Sequence, residues 1–299
     1  MSHDTTASAT VRVGVAGWDY ADWKGIVYPD RPGGRFDRLA WIARFIDVVE
    51  INSTFYRPAA VPSARSWLRR TEDRPRFAFS AKAHRSWTHE AAAPPTAAID
   101  ATLAGLAPLR EAGRLRALLL QFPQSFHFDD GARARLELLA DRARGWPLVV
   151  EVRHTSWSDE EAGAWLAARG LGWCAVDQPR VGRTTIAVVD RVVGGLAYLR
   201  LHGRNAAAWF DPDAGRDRRY DYLYTRKQLE PLAAVARRLA GRADELVIVQ
   251  NNHFRGQALV NALQLRHLVE GRLPAAPGSL VDAYPQLARD VRVERDSLF

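Results

Sequence analysis

Short apolar segments alternate with segments of helical periodicity along most of the chain. The strand-like segments are rich in aliphatic and aromatic residues and cover residues 11–16, 47–52, 76–82, 115–122, 147–153, 171–177, 195–202 and 245–251. Apolar residues between them recur at three- and four-residue intervals, which predicts helices over residues 36–45, 62–70, 97–112, 129–144, 158–169, 225–239 and 257–270. Such alternation is typical of a parallel sheet covered by helices.

Two of the helix starts carry recognisable signals. Pro62 lies in the first turn of its predicted helix, where proline is favoured because the N–H it lacks would have no partner there. Ser158 opens the helix over residues 158–169, and Glu161 follows three residues later, which is the spacing of a capping box. Both signals support the predicted helices.

The number of strand–helix units favours one architecture. Eight strands and seven helices that alternate with them in 299 residues fit the α/β class and a single (β/α)8 TIM-like barrel. Two smaller doubly wound domains are the alternative, but the middle of the chain has no Pro-, Gly- or Ser-rich linker, and no Gly-x-Gly-x-x-Gly motif follows a strand. We therefore predict a flexible tail over residues 1–10, one barrel over residues 11–273 and a C-terminal extension over residues 274–299.

Polar residues collect at the carboxyl ends of the predicted strands, which are otherwise apolar. Alternate residues of a strand share one face, and on three strands this places polar side chains together: Glu50 with Asn52, Glu151 with Arg153, and Tyr198 with Arg200 and His202. Four further strands finish on Lys82, Gln121, Asp177 and Asn251. Barrel active sites are built at this end, and charges there must be paired or solvated. We therefore predict a polar network at the mouth of the barrel.

This network suits acid/base chemistry and the binding of anions. Glu151 is the predicted main acid/base group, with Glu50 as its partner and Asp177 as a third catalytic candidate. Cationic side chains suit an anionic group of the substrate or developing negative charge, and these are Lys82, Arg153 and Arg200. The other polar candidates for holding a ligand are Asn52, Gln121, His154, His202 and Asn251.

The segment over residues 17–23 is aromatic where loops are normally polar. Tyr20 and Trp23, together with Tyr56, are candidates to stack on a sugar or a base at the barrel mouth. The alternative is a hydrophobic plug that covers the core beneath the loop. Both interpretations remain open, since different rings can play different parts.

The charge of the chain suggests a partner only weakly. Forty-two Lys and Arg residues against 34 Asp and Glu residues give a net charge of +8, which favours phosphate-rich partners such as nucleic acid. The basic residues are scattered among acidic ones, however, so we favour solvated helix faces over a nucleic-acid surface. No run of about 18 apolar residues predicts a membrane helix, and the polar first ten residues do not resemble a secretion signal. We therefore expect a cytoplasmic protein without membrane contact.

The single cysteine narrows the chemistry further. Cys174 alone excludes an intrachain disulfide and a zinc site made of several thiolates. It lies in the middle of a predicted strand, between Trp173 and Ala175, so a small buried core residue is favoured over a nucleophile.

Several motifs, taken together and in order, resemble one known family. They are Gly17-Trp18-x-Tyr20-x-x-Trp23-x-Gly25, Glu50-Ile-Asn52-x-Thr54-Phe55-Tyr56, Phe79-Ser-x-Lys82 with Thr88-His89, Gln121-Phe-Pro123, Glu151-x-Arg153-His154-x-x-Trp157, Tyr198-x-Arg200-x-His202-Gly203 and Asn251-Asn252. Over about residues 11–270 the chain is similar to the DUF72 (YecE-like) family. The resemblance implies a TIM-like barrel and supplies no reaction. Gln250 and His253 depart from the pattern around the Asn pair.

Three functions remain open. The favoured one is an enzyme with hydrolase-type acid/base chemistry, acting on a small polar or anionic molecule that contains a sugar, with or without a phosphate. The second is a nucleic-acid or nucleotide binder without catalysis, whose affinity would fall steeply with salt. The third is a barrel enzyme that depends on a divalent metal, for which Glu50, Glu151, Asp177, His154 and His202 supply suitable ligand types. No compact metal motif supports the third, and no cofactor is assigned.

Overall fold

Eight parallel strands close into a barrel in the order of the sequence, and the last strand pairs with the first. The computed structural model describes residues 9–180, 184–209, 211 and 215–295. The barrel strands are β1 (Thr10–Ala16), β2 (Val48–Ile51), β3 (Ala78–Lys82), β4 (Leu115–Gln121), β5 (Leu148–Glu151), β6 (Gly172–Asp177), β7 (Leu196–Leu201) and β8 (Glu245–Gln250). The predicted (β/α)8 barrel is confirmed. Of the predicted tail, residues 1–8 lie outside the described residues, and Thr10 already belongs to β1.

Helices cover the outside of the barrel. They are α1 (Arg38–Ile42), α2 (Val61–Arg69), α3 (Arg85–Thr88), α4 (Thr96–Glu111), α5 (Asp130–Arg142), α6 (Glu160–Ala167), α7 (Ala206–Trp209), α8 (Arg216–Arg219), α9 (Arg226–Ala240), α10 (Gln257–Glu270) and α11 (Gly278–Ala283). Side chains close several of the helix starts, because the first N–H groups of a helix have no partner within it. Asp37 accepts hydrogen bonds from the first turn of α1, and Asp129 from that of α5.

One expectation about the helices is wrong. The N-cap of α6 is Asp159, one residue after Ser158, and its side chain makes no capping hydrogen bond. The connection between β6 and β7, over which no helix is predicted, contains no helix in its described residues, 178–180 and 184–195. Thr185 instead forms a bridge with His154 of the loop after β5.

The two faces of the strands build two separate cores. Outward-facing residues pack under the helices in a large apolar core that includes Val49, Phe79 and Leu199. A smaller core fills the barrel and includes Val48, Ala117, Val149, Cys174 and Tyr198. Cys174 is buried there, which raises the pKa of its thiol well above the ordinary value and agrees with the predicted core position.

The segment after α10 folds against the barrel. Strands β9 (Ala275–Pro277) and β10 (Arg292–Glu294) pair in a parallel two-stranded sheet, and α11 connects them in part. Leu280 and Leu287 are fully buried, and the hydroxyl of Ser279 donates to the carbonyl of Ile26 at 2.8 Å. Within the described residues, no helix is long and apolar enough to cross a membrane.

Candidate active site

The upper interior of the barrel contains an ion cluster that is shut off from solvent. Arg200 of β7 lies between two carboxylates that come from β2 and β5. Its Nη2 donates to Oε1 of Glu50 at 2.7 Å, and its Nη1 donates to Oε2 of Glu151. All three side chains are at most 1% exposed. The predicted network of strand-end charges therefore has Arg200 at its centre.

A hydroxyl pair supports Glu50 from within the barrel core. The Tyr198 hydroxyl donates to Oε2 of Glu50 at 3.0 Å, and the Ser80 hydroxyl lies 2.8 Å from the Tyr198 oxygen. Burial raises the pKa of Tyr198 well above its ordinary value, so this phenol keeps its proton. Ser80 was missed as a site residue, although it shares the strand face of Lys82 and lies beside Glu50 in register.

Glu151 is held in its ionised form. Its Oε1 accepts from Nη2 of Arg153 at 2.9 Å and from Nε2 of His202 at 3.1 Å, while Oε2 is taken by Arg200. Burial by itself would raise the pKa of Glu151, but Arg200, His202 and Arg153 outweigh it and hold the pKa well below the ordinary range. Both oxygens of Glu151 accept hydrogen bonds from cationic or N–H donors. Glu151 is therefore an ionised carboxylate that orients Arg153, Arg200 and His202.

His202 is neutral in this environment. Burial, opposed by Glu151 and assisted by Arg200, lowers the pKa of His202 to about 3. The Nδ1 atom lies 2.9 Å from the side-chain amide nitrogen of Asn251, which can only donate. Nδ1 is therefore the acceptor, and the proton is assigned to Nε2, which donates to Glu151.

Lys82 is the exception among the cations of the mouth. Its Nζ lies 4.1 Å from the centre of the Phe55 ring, and it makes no hydrogen bond or ion pair with the described residues. Burial and the neighbouring Arg200 lower the pKa of Lys82 to about 8, although Glu50 and Glu151 act against this. The backbone at Lys82 is fixed by the Thr54 hydroxyl, which donates to its carbonyl oxygen at 2.7 Å.

Aromatic and imidazole rings form the rim around these cations. The Arg153 guanidinium lies 5.5 Å from the centre of the Trp209 ring, and the Phe55 ring packs edge-on against His89. Burial, together with Lys82 and Arg153, lowers the pKa of His89 to about 4. Phe55 and His89 belong to the motifs that resemble the family, so the sequence contained a signal that both lie near the site. Trp209 follows no strand directly, and no pattern in the sequence marks it.

Asp177 lies apart from the cluster. Cys174 and Val176 of the same strand face the barrel interior, so Asp177 points outward toward the helices. It accepts three hydrogen bonds from Arg204, at 3.2, 2.9 and 2.8 Å, and one from the Tyr224 hydroxyl at 2.6 Å. The structure thus separates this predicted catalytic residue from Glu50 and Glu151.

The other predicted polar ligand-binding residues are divided. Gln121 is the last residue of β4 and lies beside Glu151 in register, and Asn52 directly follows β2. By alternation, both share the inward face of their strand. The Oδ1 atom of Asn52 is buried without a hydrogen-bond partner among the described residues. His154 instead accepts from the backbone N–H of Ser156 at 3.1 Å and stacks on His127, so it stabilises a turn outside the cluster.

The aromatic loop serves two purposes. Trp23 is fully buried and donates to the carbonyl of His253 at 2.7 Å, and Tyr20 stacks on the His253 ring. These two rings are part of a plug. Tyr56, by contrast, is 71% exposed and borders a cleft of about 740 Å³. Other residues that line this cleft are Trp18, Tyr20, Arg38, Asn52, Trp67 and Arg70.

Within the described ranges, no group of three or more His, Cys, Asp or Glu side chains is placed to hold a metal ion. The oxygens of Glu50 and Glu151 are already occupied by cations and a hydroxyl. The metal-dependent alternative stays a prediction.

A closed parallel barrel with charged groups at the carboxyl ends of its strands defines a TIM-like barrel protein with a candidate site in the usual place. The model of the family described as "Protein of unknown function DUF72" matches residues 12–281, so the chain belongs to the DUF72 family. The chain is also 26% identical over 273 residues to UPF0759 protein YunF of Bacillus subtilis (strain 168), which covers 87% of this chain and 95% of that protein.

Two crystal structures show the same fold. A DUF72 family protein from Thermotoga maritima MSB8 superposes with a TM-score of 0.75 at 32% identity, over 87% of this chain and 99% of that one. A DUF72 family protein from Enterococcus faecalis V583 gives a TM-score of 0.76 at 23% identity, over 87% of this chain and 96% of that one. Family and fold are thus established, and neither relative brings an assigned reaction.

Proposed function

We propose that the protein is an enzyme that binds a small anionic, sugar-type molecule at the barrel mouth and acts on it by proton transfer. The observation that carries this proposal is the pair of cations, Lys82 and Arg153, above the buried ion cluster. Arg153 shares the Glu151 carboxylate with other donors, and Lys82 has no carboxylate partner among the described residues. Both residues are partly exposed.

The charge of the mouth supports an anionic ligand. Two carboxylates, Glu50 and Glu151, stand against three cationic groups, Lys82, Arg153 and Arg200. The low pKa values of His202 and His89 keep both imidazoles neutral near pH 7. A phosphate or carboxylate group would satisfy the surplus positive charge, and arginine offers it parallel hydrogen bonds.

The contacts of Glu151 suggest a different role from the predicted acid/base group. A carboxylate that is ionised and saturated with donors has no proton to give at neutral pH. We propose that Glu151 positions Arg153 and His202, and that Lys82 transfers the proton, since a pKa of about 8 lies close to neutral pH. Hydrolysis as the reaction type stays a prediction.

The cleft beside the mouth supports a ring or a polyol in the ligand. Trp18 and Tyr56 offer aromatic surface there, and sugars commonly pack on such rings. Asn52 lines the same cleft, and its buried Oδ1 would accept a hydrogen bond from a hydroxyl group.

The test is ligand-induced stabilisation of purified protein. Glucose 6-phosphate, ribose 5-phosphate, inorganic phosphate, glucose and a single-stranded oligonucleotide are each added before thermal unfolding. We expect at least one sugar phosphate to raise the melting temperature by mass action, and Arg153→Ala to abolish this shift. Arg144→Ala is the matched control, because Arg144 pairs with Asp141 on the exposed surface.

Stabilisation that is unchanged in Arg153→Ala would contradict the proposed site. A shift caused by the oligonucleotide alone and erased by salt would favour the nucleic-acid alternative, since phosphate contacts release counterions. No shift with any of the sugar phosphates would contradict the proposed ligand class.

A further inference from the structure

We propose that Lys82 is a nucleophile that forms an imine with the aldehyde or ketone group of an open-chain anionic substrate. This inference rests on the proposed function, because the anion held by Arg153 brings the carbonyl group to the mouth. It narrows the substrate class to molecules that carry both a free carbonyl and a negatively charged group.

The first observation is that Lys82 forms no ion pair with the described residues. Arg200 bridges two carboxylates and Arg153 donates twice to Glu151, at 2.9 and 3.3 Å. The Nζ of Lys82 lies next to the same cluster, yet it contacts no carboxylate of the described residues. A lysine that only balanced charge would take one of these oxygens. Lys82 is instead left with its nitrogen free to approach a ligand.

The second observation is what surrounds the amine. The Phe55 ring covers one side of Nζ, and among the charged groups that act on the amine, Arg200 and Arg153 oppose its protonation while Glu50 and Glu151 favour it. Desolvation and adjacent cations are the two ways in which proteins make lysine nucleophilic. A pKa of about 8 makes the neutral amine of Lys82 far more accessible near neutral pH than that of an ordinary lysine.

The third observation is how firmly the residue is held. Lys82 is the last residue of β3, and Thr54 anchors its carbonyl oxygen from the loop after β2. Catalytic groups on barrel strands are placed more rigidly than groups on loops. The backbone at Lys82 is therefore held in place, and the flexible side chain carries the amine into the mouth.

The step itself needs no further reactant. Neutral Nζ attacks the carbonyl carbon; the C–N bond forms, the C=O π bond breaks, and one N–H proton moves to the oxygen. The second N–H proton leaves with that hydroxyl as water, and the C=N bond forms. One water is released, and nothing is oxidised or reduced.

The experiment is reductive trapping followed by peptide mapping. The protein is incubated at pH 7.5 with glyceraldehyde 3-phosphate, dihydroxyacetone phosphate or pyruvate, with and without sodium cyanoborohydride. The chain contains three lysines, Lys24, Lys82 and Lys227, so the modified position is easily assigned. We expect about one reduced adduct per chain on Lys82. Lys82→Arg should lose the adduct at least tenfold, whereas Lys24→Arg, at an exposed loop position, should retain it.

Two outcomes would overturn the inference. One is an adduct distributed over Lys24, Lys227 and the amino terminus as in a denatured sample. The other is no adduct with any of the three probes. This mapping uses the wild-type chain, so it decides the question even where Lys82→Arg folds poorly. Arg153-dependent stabilisation by a sugar phosphate without trapping would leave the proposed function standing and refute the imine alone.

Discussion

The Arg200 guanidinium compensates the charge of two buried carboxylates inside the barrel. Arg200 contacts both buried glutamates, which come from strands on different sides of the barrel. Removing one partner of a buried ion pair leaves the other charge desolvated and unpaired, which is far more costly than losing a surface pair. The stability of the chain should therefore respond very differently to two arginine substitutions.

We expect Arg200→Ala to lower the free energy of unfolding by about 3–5 kcal/mol, because Glu50 and Glu151 lose their shared partner. The control, Arg144→Ala, removes an exposed pair with Asp141 and should cost less than about 1 kcal/mol. Urea denaturation at pH 7 measures both. Equal, small effects would mean that the glutamates are neutral or hydrated in solution.

For Lys82 we expect the opposite effect: its replacement should raise the free energy of unfolding, by an amount that depends on pH. Its folded-state pKa of about 8 lies below the ordinary 10.5, so the unfolded chain binds more protons over that range and stability rises with pH there. Lys82→Met removes this penalty. The variant should be more stable than wild type at pH 7 by about 1–3 kcal/mol, and the difference should shrink as the pH rises from 8 toward 10.

Urea denaturation of both proteins at pH 7 and pH 9.5 tests this directly. Lys227→Met, at an exposed position on α9, serves as the control and should show no pH-dependent difference from wild type. A gap between Lys82→Met and wild type that stays constant with pH would contradict the depressed pKa.

At the scale of elements, periodicity located the strands well and their polar ends less well. Glu50, Glu151 and Arg200 share the inward face as predicted from alternation. Asp177 does not, although it also ends its strand. Strands of a parallel barrel are buried on both faces, so β6 gives no polar–apolar contrast to show which face is inward. Being last in a strand and facing the mouth are separate properties.

At Gly105, helix propensity and steric clash predict opposite effects of a substitution by alanine. Gly105 lies inside α4, where Ala is favoured by up to about 1 kcal/mol. A Cβ atom there would lie 2.0 Å from the carbonyl oxygen of Ala59, which precedes α2. We therefore expect Gly105→Ala to destabilise the fold by about 1–3 kcal/mol.

The control is Gly131→Ala in α5, where the nearest atom to a new Cβ is 3.4 Å away. Thermal unfolding should show no loss of stability for this variant. A neutral or stabilising effect of Gly105→Ala would mean that α4 can move away from the segment before α2.

At the scale of the whole molecule, the C-terminal segment is bound to the barrel by a buried charge. Asp290 is fully buried and accepts hydrogen bonds from Arg226 of α9 and from the amide of Gln264 of α10, the latter at 3.1 Å. The segment predicted as an extension thus completes the packing around two barrel helices.

Asp290→Ala should accordingly lower the free energy of unfolding by about 2–4 kcal/mol, since Arg226 and Gln264 lose a buried acceptor. Asp282→Ala, in the same segment, breaks only an exposed pair with Arg295 and should cost under about 1 kcal/mol. Urea denaturation followed by circular dichroism compares them. Equal effects would show that the segment is not coupled to the barrel through Asp290.

The sequence by itself determined the succession of strands and helices, the barrel, and the strand ends where polar residues collect. These follow from the two-residue repeat of a strand and the 3.6-residue repeat of a helix, which are local properties of the backbone. The partner of each charge is a different matter. Whether Arg200 reaches two glutamates, whether Asp177 turns to Arg204, and whether Lys82 is left without a charged partner among the described residues depend on distances between strands far apart in the chain. Only the closed barrel fixes those distances, because it brings strand ends separated by up to 150 residues within hydrogen-bond reach of each other.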